Sequence, residues 1–426
     1  MSLRESSTGK STFPIIVHSH LRWDWVWQRP QQFLSRFSKT HPILFVEGPH
    51  IIEGNADPRA RWRRDPKFPN VVVMHTEFSK TSWDKMGGAS VDIERYCLLR
   101  QELDSSLKSE FGQSSNKPVQ WFYDPMAAPA FIGRLNERAN VYDCMDELSQ
   151  FKGAPPEMIE RERFLLSHAD VVFAGGRKMW ESKSRFNKNS HFYGCGVDVS
   201  HFASARKEST PFPADVAKLS GPTLGYFGVI DERLDYELIG KLAAANAHWN
   251  ICMVGPVCKV DANDFPQRKN LHWMGGREYS DLPAYTKKFD VCLMPFAMNE
   301  ATEFINPTKA LEYMATATPI VSSPVPDVVS NFSSVVQIAD THDKFISHCR
   351  QALQSPDQSA IERGLQMASE NTWEAIVAKM ENHIAQALET RIAAQREKIT
   401  ISPLPAAAKG VLPSAAVASS QVAVPA

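Results

Sequence analysis

From about residue 13 onwards, the chain alternates between short apolar runs and longer amphipathic segments. In the first half the apolar runs cover residues 15–18, 43–46, 71–74, 119–123, 141–142 and 171–173. Amphipathic stretches, such as residues 31–37, 92–111 and 157–168, lie between them. Continuous apolar runs are typical of strands that are buried on both faces, so this alternation predicts a parallel sheet with crossover helices.

The same alternation restarts in the second half of the chain. Predicted strands cover residues 224–229, 251–254, 290–294 and 319–321, and predicted helices cover 237–247, 282–288 and 308–316. Between the halves, residues 203–222 are rich in Ser, Pro and Lys and are predicted to be a linker. We therefore expect two doubly wound domains, residues 13–202 and 223–372, with ligands bound at strand carboxyl ends and in the crevice between the domains.

The two ends of the chain have a different character. Residues 373–398 are amphipathic and are predicted to form one long closing helix. The following segment, 399–426, consists mainly of Ala, Pro, Ser and Val with almost no charge, and cannot bury enough surface to offset its ordering entropy. We predict that residues 399–426 and 1–12 are disordered.

Charge and cysteine content exclude several classes of protein. Lys plus Arg number 47 and Asp plus Glu number 48, whereas a protein that coats nucleic acid normally has a strong basic excess. The seven cysteines include no C-x-x-C pair, which argues against a disulfide framework or a zinc site built from such pairs. Because no apolar stretch reaches about 18 residues, we expect a cytoplasmic protein without nucleic-acid partners.

The strongest chemical signal is the segment 303–315, which runs into the apolar residues 318–321. Asn306 is a suitable N-cap, and Pro307 suits the first helical position. Lys309 then lies in the first turn, where its charge opposes the helix dipole, which is understandable if an anion completes the site. Glu312 follows one turn later, and an ordinary Lys–Glu pair on a surface helix remains the alternative interpretation.

This segment resembles the donor-nucleotide motif of GT-B glycosyltransferases. Three further blocks are similar to the glycosyltransferase-4-like branch (group 1), of the teichuronic acid TuaH type: residues 23–32 with 45–49, residues 142–148, and residues 225–235. The resemblance extends over about residues 13–390. It implies an α/β protein of GT-B fold, with two Rossmann-like parallel-sheet domains that face each other across a cleft.

The resemblance also implies roles for residues of the second domain. Gly228 would let the backbone approach a diphosphate, and Arg233 and Lys309 would neutralise the phosphate charge. Glu312 would accept hydrogen bonds from the ribose hydroxyls. The complete donor-binding set implied is Gly228, Arg233, Glu303, Asn306, Thr308, Lys309 and Glu312.

Two positions depart from the family pattern. The paired glutamates of the family are usually separated by seven intervening residues, which would place the first of them at Phe304 rather than at Glu303. Ala317 stands where the family has a glycine before the Pro-Ile-Val strand. These departures concern the sugar contacts more than the nucleotide site.

By the same resemblance, the first domain would hold the acceptor and a general base. Polar residues that follow predicted strands are His20, Asp124, Asp143 and Asp146, and we take His20, Asp143 and Asp146 as catalytic candidates. A carboxylate among apolar neighbours and beside a second carboxylate has a raised affinity for protons, which suits a base that acts on a hydroxyl. The alternative is that Asp143 or Asp146 caps the next helix.

Two aromatic and cationic segments complete the predicted acceptor side. Trp23, Trp25 and Arg29 lie after the first strand and are our acceptor-binding candidates, although packing in the core is an alternative for the tryptophans. Residues 59–67 carry four arginines, a lysine and a tryptophan, and we predict an exposed loop near a membrane or an anionic acceptor.

The function implied is transfer of a hexosyl-type sugar from a nucleotide-diphosphate donor, expected to be UDP-linked, to a glycan or lipid-linked acceptor in surface polysaccharide synthesis. We expect no metal and no cofactor besides the nucleotide sugar, and a peripheral contact with the inner face of the membrane. Retention of anomeric configuration follows from the resemblance, whereas inversion follows if Asp146 is a base. A GT-B sugar-nucleotide epimerase and a non-enzymatic two-lobed binding protein are the alternatives.

Overall fold

The computed structural model describes residues 12–25, 27–111, 117–151, 153–299, 302 and 308–401, with side chains up to residue 393. The strands are β1 Ile15–His18, β2 Ile43–Val46, β3 His50–Ile52, β4 Arg59–Arg64, β5 Val71–Ser79, β6 Val119–Phe122, β7 Ala139–Cys144, β8 Val171–Ala174, β9 Ser190–Phe192, β10 Thr223–Phe227, β11 Asn250–Val254, β12 Leu271–Gly275, β13 Val291–Met294, β14 Ile320–Ser322 and β15 Gln337–Ile338. The α-helices are α1 Arg29–Phe37, α2 Lys80–Lys85, α3 Gly88–Asp104, α4 Lys108–Phe111, α5 Ala128–Phe131, α6 Met158–His168, α7 Arg177–Lys183, α8 Val199–Phe202, α9 Ala214–Ala217, α10 Tyr236–Ala245, α11 Leu282–Thr286, α12 Lys309–Ala315, α13 Pro326–Phe332, α14 His342–Gln354, α15 Gln358–Glu370 and α16 Trp373–Ile401.

The first domain is built on a nine-stranded sheet in the order β3-β5-β2-β1-β6-β7-β8-β9, with β4 paired to β5. All these pairs are parallel except β4 with β5. The central strands are buried along their whole length, because apolar side chains pack on both faces of the sheet. The strand order reverses between β1 and β6, which is where a doubly wound sheet opens a ligand crevice.

The second domain repeats this arrangement with a six-stranded parallel sheet in the order β12-β11-β10-β13-β14-β15. Its strand order reverses between β10 and β13. One apolar cluster covers both faces of this sheet, including the fully buried Tyr313 of α12. Two doubly wound parallel sheets were predicted from the alternation of apolar runs, and this fold class is confirmed.

The chain passes between the domains at two adjacent places. Val197 and Thr372 form a parallel β-bridge, and the N–H of Val197 donates to Asn371 O at 3.1 Å. Gly196 fits closely against the start of α16, since a Cβ there would lie 2.7 Å from Trp373 N. The two crossings therefore lie side by side.

After the second crossing, α16 packs on the first domain. Its apolar side chains join the cluster that contains β1, β2 and α1: Trp373, Ile376, Val377, Met380, Ile384, Ala387 and Leu388. A second link between the domains runs from α7 to α13, where both Nε and Nη2 of Arg177 lie 3.1 Å from Asn331 Oδ1. The last helix is thus part of the core of the first domain.

The structure differs from the sequence prediction in two segments. Residues 59–64 form the antiparallel strand β4, not a loop, because they pair with β5 along their whole length. The predicted linker 203–222 contains a 3-10 turn at Ala203–Arg206 and the short helix α9. The predicted disordered termini lie almost entirely outside the described residues, and within the described part of the chain no helix has the length and apolarity needed to cross a membrane.

Candidate functional site

Two glycines bring the backbone close together at the carboxyl ends of β10 and β11. Gly228 adopts a φ of +141°, and its N–H donates to Val254 O at 2.8 Å. Gly255 follows β11 with a φ of +156°, and a Cβ there would lie 1.8 Å from Gly228 O. A Cβ on Gly228 itself would lie 2.1 Å from Lys309 Cε. Both positions therefore require glycine, and Gly228 makes room for the Lys309 side chain.

Lys309 is the first residue of α12, directly beyond the point where the strand order reverses. Its ammonium lies 5.7 Å from the centroid of the Tyr226 ring. Among the described residues, its side chain has neither a hydrogen bond nor an ion-pair partner. Burial lowers the pKa of Lys309, the Arg233 charge adds to this effect, and Glu312 opposes it. A half-buried cation without an internal partner is well placed to receive an anion.

Glu312 lies one turn further along α12, and its pKa is strongly perturbed. Burial raises the pKa of the Glu312 carboxyl from 4.5 to about 7, while the Lys309 charge acts in the opposite direction. Over the described part of the chain, no hydrogen bond or ion pair occupies this carboxyl group. Glu312 is therefore available to a ligand, as an acceptor when ionised and as a donor when protonated.

Arg233 is held in place by the buried Asp231. Its Nε lies 2.9 Å from Asp231 Oδ1 and its Nη2 lies 2.6 Å from Asp231 Oδ2. Hydrogen bonding to Asp231 raises the pKa of Arg233, so the guanidinium stays charged. This bidentate pair fixes the guanidinium close enough for its charge to act on Lys309, and the side chain remains 37% exposed.

The first domain places a histidine and a carboxylate where its own strand order reverses. His20 follows β1, and its Nδ1 lies 3.2 Å from the carbonyl oxygen of Tyr123, which follows β6. Because a carbonyl can only accept, this contact assigns the proton to Nδ1 and leaves Nε2 with a free lone pair. Burial raises the pKa of the nearby Asp146 carboxyl, and the charges of His20 and Arg29 oppose the shift.

Two of the predicted site residues, Arg29 and Asp143, are buried and lie in the core. Arg29 and Asp143 form an ion pair with Nη2 2.8 Å from Oδ1, and both side chains are at most 3% exposed. Arg29 Nη1 also donates to Tyr193 O at 2.6 Å. Burial alone would lower the pKa of Arg29, but the Asp143 carboxylate outweighs it and raises the pKa. We correct the predicted catalytic role of Asp143 and the predicted acceptor role of Arg29, because neither side chain has surface for a substrate.

The tryptophans after β1 divide between core and surface. Trp23 is 2% exposed, and its indole N–H donates to Asp65 Oδ2 at 2.7 Å, so its predicted acceptor contact is also corrected. Trp25, in contrast, is 71% exposed and remains a candidate. Asp124 accepts the N–H of Met126 at 2.9 Å and caps the turn after β6.

The arginines of β4 are partly neutralised by acidic neighbours. Arg59 and Arg61 both approach Glu77, at 2.6 and 3.6 Å. Arg63 pairs with Asp24, and Arg64 pairs with Glu110. These contacts compensate part of the cationic charge, because four arginines face three carboxylates. A contact of this segment with a membrane or an anionic acceptor stays a prediction.

The sequence analysis did not identify the segment around Cys195, which lies between the donor-side and the acceptor-side residues. The Cys195 thiol lies beside the first domain crossing, where charges of both domains reach it. Burial raises the pKa of Cys195 to about 11; Arg29 lowers it, and Asp146 and Glu312 raise it further. The only sequence signal was the pair of glycines around Cys195, which allow a tight passage of the chain.

The remaining predicted donor residues are only partly described. Glu303 and Asn306 lie outside the described residues. Thr308 immediately precedes α12, and its side chain makes no capping hydrogen bond. Ala317, which replaces the glycine of the family pattern, adopts a φ of +60°, so the left-handed conformation that favours glycine is retained.

Comparison with known proteins agrees with this geometry. Residues 222–355, which contain the donor-side residues, match the family model described as glycosyl transferases group 1. The chain is 24% identical over 305 residues to the putative teichuronic acid biosynthesis glycosyltransferase TuaH of Bacillus subtilis (strain 168), a match that covers 69% of this chain and 72% of that protein.

Solved structures show the same fold at low sequence identity. The sucrose-phosphate synthase of Thermosynechococcus elongatus aligns with a TM-score of 0.62 and 13% identity, over 89% of this chain and 100% of the other. A UDP-forming α,α-trehalose-phosphate synthase from Burkholderia xenovorans, in complex with glucose-6-phosphate, gives a TM-score of 0.62 and 13% identity over 88% and 100% of the two chains. The resemblance to GT-B glycosyltransferases is confirmed: residues 222–355 are similar to group 1 glycosyl transferases, and the chain has the fold of glycosyltransferase structures.

Proposed function

We propose that this enzyme transfers a sugar from a nucleotide-diphosphate donor, with the diphosphate bound beside the Lys309 ammonium. The observation that carries the proposal is the Lys309 ammonium, which is half-buried and lacks a partner among the described residues. Leaving a desolvated charge unpaired is unfavourable unless a ligand supplies the counter-charge. A diphosphate does so, and it gains negative charge as the glycosidic bond to the donor breaks.

Each donor-side residue has a distinct task in this scheme. Gly228 leaves space for the Lys309 side chain beside the backbone, and the Arg233 guanidinium is already oriented by Asp231. Lys309 and Arg233 stabilise the departing diphosphate more strongly than the bound donor, because its charge increases during transfer. Glu312 accepts hydrogen bonds from hydroxyl groups of the donor when its carboxyl is ionised.

On the acceptor side, His20 and Asp146 are the groups that can take up a proton. His20 Nε2 has a free lone pair because Nδ1 is committed to Tyr123 O. Asp146 has a raised pKa, which makes its carboxylate a stronger base than an exposed aspartate. Either group would remove the proton from the acceptor hydroxyl that attacks the anomeric carbon.

The comparisons support a UDP-sugar as donor and a carbohydrate as acceptor. An E. coli trehalose-6-phosphate protein bound with UDP-2-fluoro glucose has the same fold, with a TM-score of 0.59 and 13% identity over 89% of this chain. The similarity to the teichuronic acid glycosyltransferase favours a surface polysaccharide or its lipid-linked precursor as the acceptor. The exposed Trp25 would then stack on a sugar ring at the mouth of the cleft.

A thermal-shift screen across nucleotides and nucleotide sugars tests the donor assignment without knowledge of the acceptor. We expect UDP and one or more UDP-sugars to raise the melting temperature of the wild type, because ligands that bind only the folded state stabilise it. Lys309→Met should lose this shift. Lys241→Met is the matched control, since Lys241 lies in the same domain and pairs with Glu237 on the surface.

Two results would overturn the proposal. No response of the wild type to any nucleoside diphosphate or nucleotide sugar would exclude the donor site. An unchanged response in Lys309→Met would exclude the role of Lys309. Incubation of the wild type with a labelled donor and no acceptor addresses the epimerase alternative, because an epimerase would still convert the sugar whereas a transferase requires an acceptor hydroxyl.

A further inference from the structure

A histidine and carboxylate cluster lies apart from the donor-side residues, near the edge of the first sheet. Glu47 follows β2, His50 begins β3, and His75 lies within β5. Each of these three side chains offers a ligand atom, and the three atoms lie within 4.8 Å of one another. We propose that Glu47, His50 and His75 bind a Zn²⁺ ion.

The carboxylate of the cluster is buried and oriented by the backbone. Glu47 is 6% exposed, and its Oε1 accepts the N–H of Trp23 at 2.9 Å. Its Oε2 is directed at the imidazole of His50, with Nε2 at 3.3 Å. A second interaction that fixes a carboxylate is the usual arrangement for a metal ligand, because it reduces the reorganisation needed on binding.

The two imidazoles are close enough to share one ion. Their rings are stacked, with centroids 3.8 Å apart and an interplanar angle of 8°. His50 and His75 are both half-buried, and binding of a common ion would require the two stacked rings to turn so that one nitrogen of each faces it.

The geometry and ligand types favour zinc over calcium or magnesium. A tetrahedral ion with bonds of about 2.1 Å holds its ligand atoms roughly 3.4 Å apart. The distances between the three ligand atoms therefore need to shorten by roughly 1.5 Å at most. Two nitrogens and one carboxylate oxygen are ligands that zinc accepts, whereas the hard cations prefer oxygen alone. Water would occupy the fourth position, in a cavity of about 290 Å³ lined by all three residues.

The arginines around this cavity do not exclude a cation, because carboxylates face them. Arg61 lies 3.6 Å from Glu77 and Arg63 pairs with Asp24, whereas Arg22 lies 3.7 Å from Glu47 itself. Metal binding would replace the Arg22 contact, and Arg22 is 44% exposed and free to move into solvent. The ion would also fix the loop after β1, since Glu47 already holds the backbone of Trp23.

Titration of the full-length protein, without a histidine tag, with Co²⁺ and Zn²⁺ tests the proposal. We expect one ion per chain, with visible absorption of tetrahedral Co²⁺ that Zn²⁺ abolishes. His75→Ala and Glu47→Gln should each weaken binding by more than about 100-fold, since loss of an outer-shell partner alone weakens metal sites by 10- to 100-fold. Glu47→Gln keeps an acceptor for the Trp23 N–H, so the loop should stay folded, as far-UV circular dichroism would verify.

A second pair of stacked histidines provides the matched control. His191 and His383 have ring centroids 3.6 Å apart, but the hydroxyl of Tyr193, not a carboxylate, lies beside them. His191→Ala should leave binding of the metal unchanged. Absence of binding in the wild type, or equal binding in wild type, His75→Ala and Glu47→Gln, would overturn the proposal. Neither readout depends on glycosyl transfer.

Discussion

The two domains share a sheet architecture, but they differ in whether the charge of a site cation is compensated by a partner within the protein. In the first domain, Arg29 is buried against Asp143 and against backbone carbonyls, so its charge is compensated within the protein. In the second domain, Lys309 lies beside an aromatic ring and has no side-chain partner among the described residues. The difference indicates that one cation stabilises the fold, whereas the other is available for a ligand.

A sequence motif alone assigns both residues to the site, because it does not show which partner each cation has. Arg29 and Lys309 both follow strands in blocks that resemble one family, and both are cations near the cleft. Their surroundings distinguish them: Arg29 is paired with Asp143 where neither side chain has surface for a substrate, whereas Lys309 has no side-chain partner among the described residues. Substitutions at the two positions should therefore affect different measurable properties.

The largest effect is expected for Arg29→Met, which leaves the Asp143 carboxylate buried without a counter-charge. Breaking a buried pair in this way lowers the free energy of unfolding by about 3–5 kcal/mol. Urea unfolding followed by circular dichroism measures this loss. The double variant Arg29→Met with Asp143→Leu should recover most of it. If Arg29→Met is as stable as the wild type, the first half of the comparison fails.

Lys309→Met should show the complementary behaviour. Loss of a group that stabilises the leaving diphosphate reduces turnover by about 10²–10³-fold, equivalent to about 2.7–4 kcal/mol in the activation free energy. Stability should stay level or increase, because a desolvated cation without a partner is removed. Steady-state kinetics with the donor found in the thermal-shift screen would measure the first effect, and urea unfolding the second. A large loss of stability with normal turnover would reverse the assignment.

The first domain should lose stability in acid because of His18. Burial lowers the pKa of His18 from 6.5 to about 3, in spite of its hydrogen bond to Gln120. Below pH 6.5 the unfolded chain binds a proton that the folded chain does not take up until about pH 3. Unfolding free energy should thus fall by up to about 1.4 kcal/mol per pH unit on acidification over this range. Unfolding midpoints between pH 7 and 4 should show a shallower slope in His18→Leu.

Glu312 should contribute the opposite pH dependence in the second domain. Its folded pKa of about 7 exceeds the ordinary value of 4.5, so the folded state binds a proton that the unfolded state has lost. The resulting stabilisation is complete below pH 4.5 and disappears as the pH rises through 7. Glu312→Gln should remove this decline between pH 4.5 and 7 in unfolding experiments at fixed ionic strength. An unchanged profile would show that Glu312 is exposed to water.

The smallest effect is expected at the end of α12. Ala317 adopts a φ of +60°, which is unfavourable for a residue with a Cβ. Ala317→Gly should raise the unfolding free energy by about 0.5–1 kcal/mol, because relief of this strain exceeds the added flexibility of the unfolded chain. Ala315→Gly, at the last residue of α12, is the control and should destabilise by about 1 kcal/mol, because its backbone is helical. Equal losses in both variants would argue against strain at Ala317.

The sheet architecture was predictable from the sequence because it depends on apolar runs that recur regularly. The donor side was also accessible, since Gly228, Lys309 and Glu312 belong to short motifs whose spacing has a local physical meaning. Partners distant in sequence were not predictable. Asp143 pairs with Arg29 across 114 residues, and nothing in either local sequence shows that each satisfies the other.

Strand β4 shows a second limit of the sequence pattern. Its alternation of arginines with small or aromatic residues is typical of an exposed segment, and its side chains are indeed mostly exposed. The strand forms because β5 provides a free edge for antiparallel pairing, which depends on tertiary structure rather than on local preference. Charge compensation by Glu77, Asp24 and Glu110 follows from the same placement and was invisible in the sequence.

The docking of α16 on the first domain has a consequence for synthesis on the ribosome. Seven apolar side chains of that helix, from Trp373 to Leu388, complete a core whose other members are made before residue 203. Synthesis proceeds at about 5–20 residues per second, so roughly 10–40 s pass between the completion of the first domain's sheet and the synthesis of its final helix. During that interval the second domain can finish folding, while the unfinished face of the first is exposed to chaperones. Truncation before residue 373 should therefore yield a chain that aggregates even though its catalytic motifs are intact.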